Sequence, residues 1–371
     1  KVSGGGRCNV THDQADISLL VKSYPRGQNF LKKAFHHFGP KDTIDWFEQR
    51  GVKLKVEKDG RMFPSSNTSQ TIVDCFIQEA NDCKVTIFMN ASVDHLEKRE
   101  DCWILSEKAG RSWKAANICI TCGGFNKLEQ YHWLEQIGCK IEKPVPSLFT
   151  FNMPNHTITS LMGVSVPNAT IKIVGSKLNT EGALLITHWG LSGPAVLKLS
   201  ALGARLLSEA NYQFSILVNW LSDYTEDSLR NDWINIRNRL GHGLVSHKKP
   251  FALPSRLWNY FLAEASISEK LHWSELKSVQ QNKLIQILTS NMFTVSGKTT
   301  FKEEFVTCGG IALSEIDVNT MECKKNSGLY FAGEVLDIDG ITGGFNFQNA
   351  WTTGWIAAKS VAAKQTISLD D

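Results

Sequence analysis

No apolar run in this 371-residue sequence approaches the roughly 18 residues that a membrane span needs, and no signal-peptide pattern stands in it. Internal repeats and low-complexity tracts are missing too, which sets aside solenoids and disordered arrays. An excess of charge of one sign is also lacking. The 40 Lys and Arg residues against 37 Asp and Glu leave a formal +3, too balanced to indicate a polyanion partner without local clustering. Nine cysteines, an odd number scattered through apolar segments, do not make the dense disulfide framework of a small secreted domain. A reducing, cytoplasmic setting without a membrane partner is therefore expected, and sequons such as Asn67-Thr68-Ser69 are chance matches. No metal-ligand spacing is found. Cys119 and Cys122 form a C-x-x-C, but a strand turns residues an odd number apart to opposite faces, so neither zinc nor thiol redox chemistry is expected there. Ser296-Gly297-Lys298-Thr299 resembles the end of a phosphate-binding loop, yet Met292 stands where its first glycine belongs.

What is present is ordinary for globular protein, 42% hydrophobic and 21% charged, in a 41.4 kDa chain long enough for two domains. Apolar spacing predicts helices over 28–38 and 42–50, the second capped by Asp42 or Thr43 and stopped by Gly51. The segment VKLKVEKDGRMFP alternates as a hairpin that turns at Lys58-Asp59-Gly60, and 69–81 reads as a helix. Residues 84–93 (KVTIFMNASV) read as a strand, DHLEKRED as a hairpin turn, and ANICITCGG as a buried strand that ends in glycines. From Pro144 the chain changes to short strands, over 148–174, 184–187 and 212–221. Residues 225–288 are then helical, with Trp233, Ile236, Leu240, Leu257, Trp258, Phe261 and Leu262 spaced as core stripes. After Phe305 the α/β character returns in VTCGGI, the strand GLYFAGEV and a last helix near 346–363, so the chain leaves one domain, builds another and comes back.

Two stretches carry chemistry. Ser3-Gly4-Gly5-Gly6-Arg7-Cys8-Asn9 places three glycines in a row, an arrangement costly to order, and suggests main chain pressed against a flat or anionic ligand. In GLYFAGEVLDIDGITGGFNFQ a strand ends at Gly333-Glu334, acidic residues follow at Asp337 and Asp339, and Gly343-Gly344 introduce a helix. A carboxylate at a strand end can accept from sugar or ribityl hydroxyls, while the glycines let N–H groups of the helix start approach a ring or phosphate.

The motifs SGGGRCNVTH (3–12), DGRMFP (59–64), the Gly123-Gly124 strand end, THWGLSGPAVLKLS (187–200), VTCGGI (306–311), Thr320-Met321-Glu322 and AGEVLDIDGITGGFNFQ (332–348) resemble, in order and along nearly the whole chain, the BaiN-type family of FAD-dependent oxidoreductases, also called aminoacetone-oxidase-like flavoproteins. The resemblance implies an α/β fold in which a two-dinucleotide-binding FAD domain is interrupted by a β-barrel domain with a helical insert. In this chain the expected boundaries are 1–147 and 306–371 for the FAD domain, 148–222 for the barrel, 223–290 for the helical insert and 291–305 for the return through the barrel. It implies FAD as cofactor, with NAD(P)H as reductant or O2 as acceptor, although no separate nicotinamide fingerprint is present. The flavin site would be formed by Ser3, Gly4, Gly5, Gly6, Arg7, Cys8, Asn9, Val93, Cys122, Gly123, Gly333, Glu334, Asp339, Gly343, Gly344, Phe345 and Asn346.

His188 and Arg7 are the catalytic candidates. His188 precedes Gly190 and Ser192-Gly193-Pro194, where Ser192 can cap a helix that starts at Pro194, and a structural role at a domain junction is its alternative. A surface role is preferred for Arg61. The family begins with a βαβ unit bearing G-x-G-x-x-G, a motif this sequence does not contain. That piece, roughly 30–40 residues, is expected upstream of Lys1, or else the protein lacks it and with it the helix N-terminus that holds the pyrophosphate. Thr121-Cys122-Gly123-Gly124 stands where relatives usually have Ala-Thr-Gly-Gly, and FNKLEQYHWLEQIG lacks their glycine-rich insertion.

The expected function is hydride or electron-pair transfer between a small organic substrate and NAD(P)H or O2. Family members are linked to small amines, bile-acid-derived enones and uridine in ribosomal RNA. In the RNA alternative, Lys22, Arg26, Lys32, Lys33 and Lys41 would contact phosphates, against the simpler reading of a solvated helix face. A third alternative is a non-catalytic remnant that serves as an interaction module.

Overall fold

The computed structural model describes residues 6–299 and 306–367, so Ser3, Gly4 and Gly5 lie outside the described residues. The chain forms two compact units, one from 1–147 with 302–371 and the other from 148–301.

The first unit is assembled from several small sheets. Thr11–His12, Arg61–Pro64 and Leu54–Val56 pair antiparallel, and the 54–64 hairpin turns where the spacing predicts, with Gly60 at φ 83°. Ile118–Ile120 runs parallel to Asn326–Phe331, with Leu329 opposite Ile118 and Phe331 opposite Ile120. These side chains are buried, as the unbroken apolar run LYF requires. Ile141–Ser147 pairs with Val306–Ile311, where a bulge falls at Gly309-Gly310. A Cβ on Gly310 would stand 2.4 Å from the Val335 carbonyl, so VTCGGI needs its second glycine for backbone packed on backbone.

Three sequence expectations change here. Residues 84–92 form no strand, and Val85, Ile87, Phe88 and Met89 are exposed, Met89 at 74%. Strand propensity describes fit to a pleated, half-buried surface, and among the described residues no strand lies beside this run. DHLEKRED is for the most part strand: Val93–Arg99 pairs with Cys102–Glu107, which pairs with Ser112–Ala115, and the turn is confined to Glu100-Asp101. The helix expected from residue 42 is Pro40–Glu48, with Gly39 as its cap. The Asp42 carboxylate accepts from the Gly39 N–H at 2.7 Å, and proline fits the first turn, where its missing N–H costs nothing.

The last helix, Phe345–Ile367, threads a buried polar network through this unit. Gln348 Oε1 accepts from the hydroxyls of Thr11 (2.6 Å) and Thr43 (3.0 Å), its Nε2 donates to Thr352 Oγ1 (3.0 Å), and that hydroxyl donates to the Phe38 carbonyl (2.8 Å). Gln348, Thr11 and Thr352 are fully buried, so these bonds offset a desolvation that would otherwise cost about 1–3 kcal/mol per orphaned group.

The second unit is a seven-stranded antiparallel sheet. Its strands lie in the spatial order Asn291–Ser296, Gln213–Asn219, Ser165–Ile173, Asn179–Ile186, Gly190–Ser192, Thr150–Asn152 and Lys298–Thr299. Helices Glu226–Leu240, Ser255–Glu264 and Ser278–Ser290 share one apolar core with it. Trp233, Ile236, Leu257, Trp258, Phe261 and Leu262 are buried, as their spacing predicts, and Trp220 joins sheet to helices through Phe293 (6.2 Å) and Phe261 (5.4 Å).

Candidate functional site

The two parallel strands of the first unit run into the loops Thr121–Gly124 and Ala332–Glu334, the carboxyl ends at which parallel sheets present ligands. Gly123 has φ 79° and nothing within 4 Å of where a Cβ would stand. At Gly124 a Cβ would meet Thr307 Oγ1 at 2.5 Å and Glu334 Cγ at 3.1 Å, so this glycine lets the Glu334 side chain lie against the strand end. Glu334 Oε1 accepts the Thr307 N–H at 2.8 Å. Burial pushes the Glu334 carboxyl above its ordinary range, opposed by that N–H and reinforced by the charge of Asp339. The Gly333 N–H donates to Thr353 Oγ1 (2.9 Å), which donates to the Asn349 carbonyl (2.7 Å), so the loop is tied to the first turns of the last helix. Asn349 Oδ1, on that helix, is buried without a hydrogen-bond partner, and Cys122, on the Thr121 side, is exposed with its thiol 3.7 Å from the Gly123 carbonyl.

The N-terminal loop meets the start of the same helix. Gly6 accepts from the Ser69 N–H (2.8 Å), and Cys8, at φ 59°, is a buried thiol pushed up to about 11 by desolvation and so suited to packing. With its amide oriented to satisfy its neighbours, Asn9 donates to the Thr11 carbonyl (3.1 Å) and accepts from the Gly344 N–H (2.9 Å). His12 Nδ1 lies 3.1 Å from the Gly343 carbonyl, and its ring stacks on Phe345 at 4.7 Å between centroids. Asn346 accepts from the Gly340 N–H (2.7 Å) and donates to the Gly340 carbonyl (2.9 Å), holding the acidic turn against the helix start.

Cys8, Asn9, Gly343, Gly344, Phe345 and Asn346 thus come together, but the glycines serve the protein's own packing. A Cβ on Gly344 would strike the Thr11 carbonyl at 2.5 Å, and one on Gly343 would strike the Phe345 ring at 2.4 Å. The N–H of Gly344, expected to face a ligand, is claimed by Asn9. Asp339 is fully buried, with both carboxylate oxygens bonded by Arg26 and one also by Ser147 Oγ (2.7 Å). Burial alone would lower the Arg26 pKa, but the hydrogen bond and charge of Asp339 raise it. Arg7 donates to Glu57 (2.6 Å) and lies 4.1 Å over the Phe63 ring, while Arg61 donates to Glu57 (3.1 Å) and Asp59 (2.8 Å). Val93 is half-buried at the start of its strand, opposite Glu107.

His188 belongs to the second unit, exposed in the turn between Asn179–Ile186 and Gly190–Ser192, with its ring 4.0 Å from that of Trp189. The helix Pro194–Leu202 begins where expected, although Gly193 is its cap and Ser192 remains in the strand. Sequence reasoning missed Thr307, His12, Gln348 and Asn349, and it set Arg26 among the phosphate contacts of the RNA alternative, whereas the structure holds it largely buried against Asp339. The first three stood inside recognised motifs, whereas nothing local marks Arg26 as the partner of a residue 313 positions away.

The model of the HI0933-like protein Rossmann domain matches residues 1–360. Among curated proteins, the chain is 29% identical to a ribosomal RNA dihydrouridine synthase of Escherichia coli over 376 residues, covering 98% of this chain and 89% of that protein. It is 25% identical to a 3-dehydro-bile acid delta(4,6)-reductase of Clostridium scindens over 370 residues, covering 98% and 89%. A ribosomal RNA dihydrouridine synthase of Haemophilus influenzae is 26% identical over 382 residues, covering 97% and 88%.

Proposed function

The chain belongs to the HI0933-like Rossmann-domain family of FAD-dependent oxidoreductases, and on that premise we propose that it uses FAD to pass a hydride or electron pair between a small organic substrate and NAD(P)H or O2. The observation that carries this reading is the pair of strand ends in the first unit. They combine bare backbone at Gly123 with the Glu334 carboxyl, whose pKa burial raises and whose Oε1 accepts from Thr307. Such an edge suits a flat ring with polar substituents, since Gly123 leaves the space and Glu334 can accept from N–H or hydroxyl groups.

When bound, FAD supplies reversible two-electron chemistry. The strand-end residues Cys122, Gly123, Gly333 and Glu334 would hold it, and the Gly6–Asn9 loop with Gly343–Asn346 would shape the helix start behind them. Asp339 supports this site through its ion pair with Arg26. In the second unit, exposed His188 is read as the group that exchanges a proton with the substrate. That unit is read as the family's barrel, because the outermost strands of its sheet are parts of one segment, 291–299, and Gly297 is bonded both to Tyr212 (2.8 Å) and to Asn152 (3.1 Å).

Purified protein should be yellow, with one FAD per chain; colourless protein that takes up no added FAD would refute the reading. Gly123→Val should weaken FAD uptake without disturbing the core, since no protein atom occupies that space, although its positive φ adds about 1–2 kcal/mol of strain. His188→Ala should keep its flavin and lose about 10²–10⁴-fold in turnover. Equal rates of flavin reduction by NAD(P)H and of reoxidation by candidate acceptors would make His188 structural.

A second reading, flavin-dependent reduction of uridine in ribosomal RNA, is favoured by two facts. Two of the relatives carry the name ribosomal RNA dihydrouridine synthase. Residues 17–41 contain no acidic side chain and expose Lys22, Lys32, Lys33, His36, His37 and Lys41.

A further inference from the structure

The helical part of the second unit carries an independent run of positive charge. Between Asp232 and Glu264 no acidic residue occurs, while Arg237, Arg239, Lys248, Lys249 and Arg256 stand there with His242 and His247. Among the described residues none of the five Lys and Arg side chains forms an ion pair, in contrast to Arg230 on the same helix, which pairs with Glu226 at 2.8 Å. Three of the five are tethered by neutral acceptors instead. Arg237 donates to the Ser274 carbonyl (3.0 Å), Lys249 to the Leu253 carbonyl (2.8 Å) and Ser255 Oγ (2.9 Å), and Arg256 to the Ser160 carbonyl (2.9 Å). These three heads are held by neutral groups, while Arg239 shares the surroundings of Tyr224 with Asp232 and Asp223.

Arg237 and Arg239 stand on the helix Glu226–Leu240 and Arg256 on the helix Ser255–Glu264, and the loop between these helices, which presents Lys248 and Lys249, is held at several points. Trp258 Nε1 donates to the Val245 carbonyl (2.9 Å) and Trp273 Nε1 to the Lys248 carbonyl (3.0 Å), from indoles that are fully buried. The 271–275 turn packs along it, with the Trp273 N–H on the Gly243 carbonyl and the Ser274 N–H on the Gly241 carbonyl, both at 3.1 Å. That turn brings the carboxylates of Glu269 and Glu275 near, but Lys270 and Lys277 stand beside them and Glu275 accepts from the His272 N–H (2.9 Å). Local charge therefore remains positive in a molecule that is nearly neutral as a whole.

We infer that the 237–256 surface of the second unit binds the phosphate backbone of RNA, with Arg237, Arg239, Lys248, Lys249 and Arg256 as its phosphate contacts. The tethered heads of Arg237, Lys249 and Arg256 lose little entropy when a polyanion replaces their water, and the counterions that RNA sheds drive the association. The inference deepens the ribosomal-RNA reading of the same enzyme and adds a surface lying outside the strand-end site.

The test is fluorescence anisotropy of the full chain with a fluorescein-labelled 20-nucleotide single-stranded RNA, from 50 to 300 mM KCl. Binding should weaken with a slope of log K on log salt of up to about −3.5 for five contacts, near −0.7 each. Lys248→Gln/Lys249→Gln should make that slope shallower by about 1.4, whereas Lys32→Gln/Lys33→Gln in the first unit should leave this difference intact. Flavin absorbance, read on the same samples, separates failure of the flavin reading from failure of this one. The inference is overturned if the parent does not bind at 50 mM KCl, or if the Lys248/Lys249 variant binds like the parent. It is equally overturned if phosphatidylserine vesicles are bound through this loop and RNA is not.

Discussion

The two units bury different things. Among the described residues, the second encloses mainly aliphatic and aromatic side chains; its buried polar residues are the hydroxyl-bearing Thr150, Thr180, Ser200 and Thr289, and the Trp220 and Trp233 indole N–H groups and Asn259 Oδ1 are buried there without partners. The first buries Asp339, Gln348, Asn349, Glu315, Asn9 and a set of threonines, and leaves Val85, Ile87, Phe88 and Met89 in solvent. A unit that needs only to cohere can rely on apolar area, at about 25 cal/mol per Å². One that handles a ligand has to hold carboxylates, amides and bare backbone at fixed places, and each held group carries a desolvation cost its partners must offset. The contrast accords with the proposal that the flavin is held in the first unit.

The contrast is broken hardest at Arg26. Arg26→Met strands the Asp339 carboxylate in the core and should cost about 3–5 kcal/mol in urea unfolding, whereas Arg26→Met/Asp339→Leu should recover much of that loss. A single variant as stable as the parent would mean that the pair contributes nothing to the first unit.

Next in size is the Gln348 network. Gln348→Leu leaves the buried Thr11 hydroxyl without its acceptor, while Thr43 keeps the Gly39 carbonyl at 3.2 Å, and should cost about 1–3 kcal/mol. Thr289→Val in the second unit removes a hydroxyl bonded only to its own helix, at Ile285, and should cost under about 1.5 kcal/mol. Comparable losses from both would erase the distinction between the units.

The smallest effect is a pH dependence. Because the Glu334 carboxyl is raised in the folded protein, its contribution to stability is fully present below the unfolded value of about 4.3 and is lost as pH rises through the folded value. Glu334→Gln removes that loss, so the variant should compare better with the parent at pH 7 than at pH 4 in paired urea titrations. The opposite order would show a carboxylate stabilised by the Thr307 N–H.

Much of the local structure could be read from residue spacing. The core stripes at Trp233, Ile236, Trp258 and Phe261, the hairpin at Gly60 and the helix after Gly193 follow from periods of 3.6 and 2 and from turn chemistry, which act over a few residues. Residues 84–92 failed for the opposite reason, since a strand exists only where another strand completes its ladder. In the candidate site, the motif residues Asn9, Gly343, Gly344 and Asn346 do converge, but on each other. The sequence could mark where the backbone had to be bare, and could not say whether a ligand or the Thr11 carbonyl would occupy the space.

By itself, then, the sequence determined most of the helices, the hairpin at Gly60, the core stripes of the second unit, and the motif order that places the chain in its family. Those properties are carried by neighbours along the chain. Only the tertiary structure decided that Asp339 is held by Arg26, that Asn349 keeps an unmet oxygen, and that Gly123 faces open space. The first depends on two groups 313 residues apart meeting in the core, the others on which distant groups do or do not arrive, and no local pattern encodes that approach, whose worth burial multiplies.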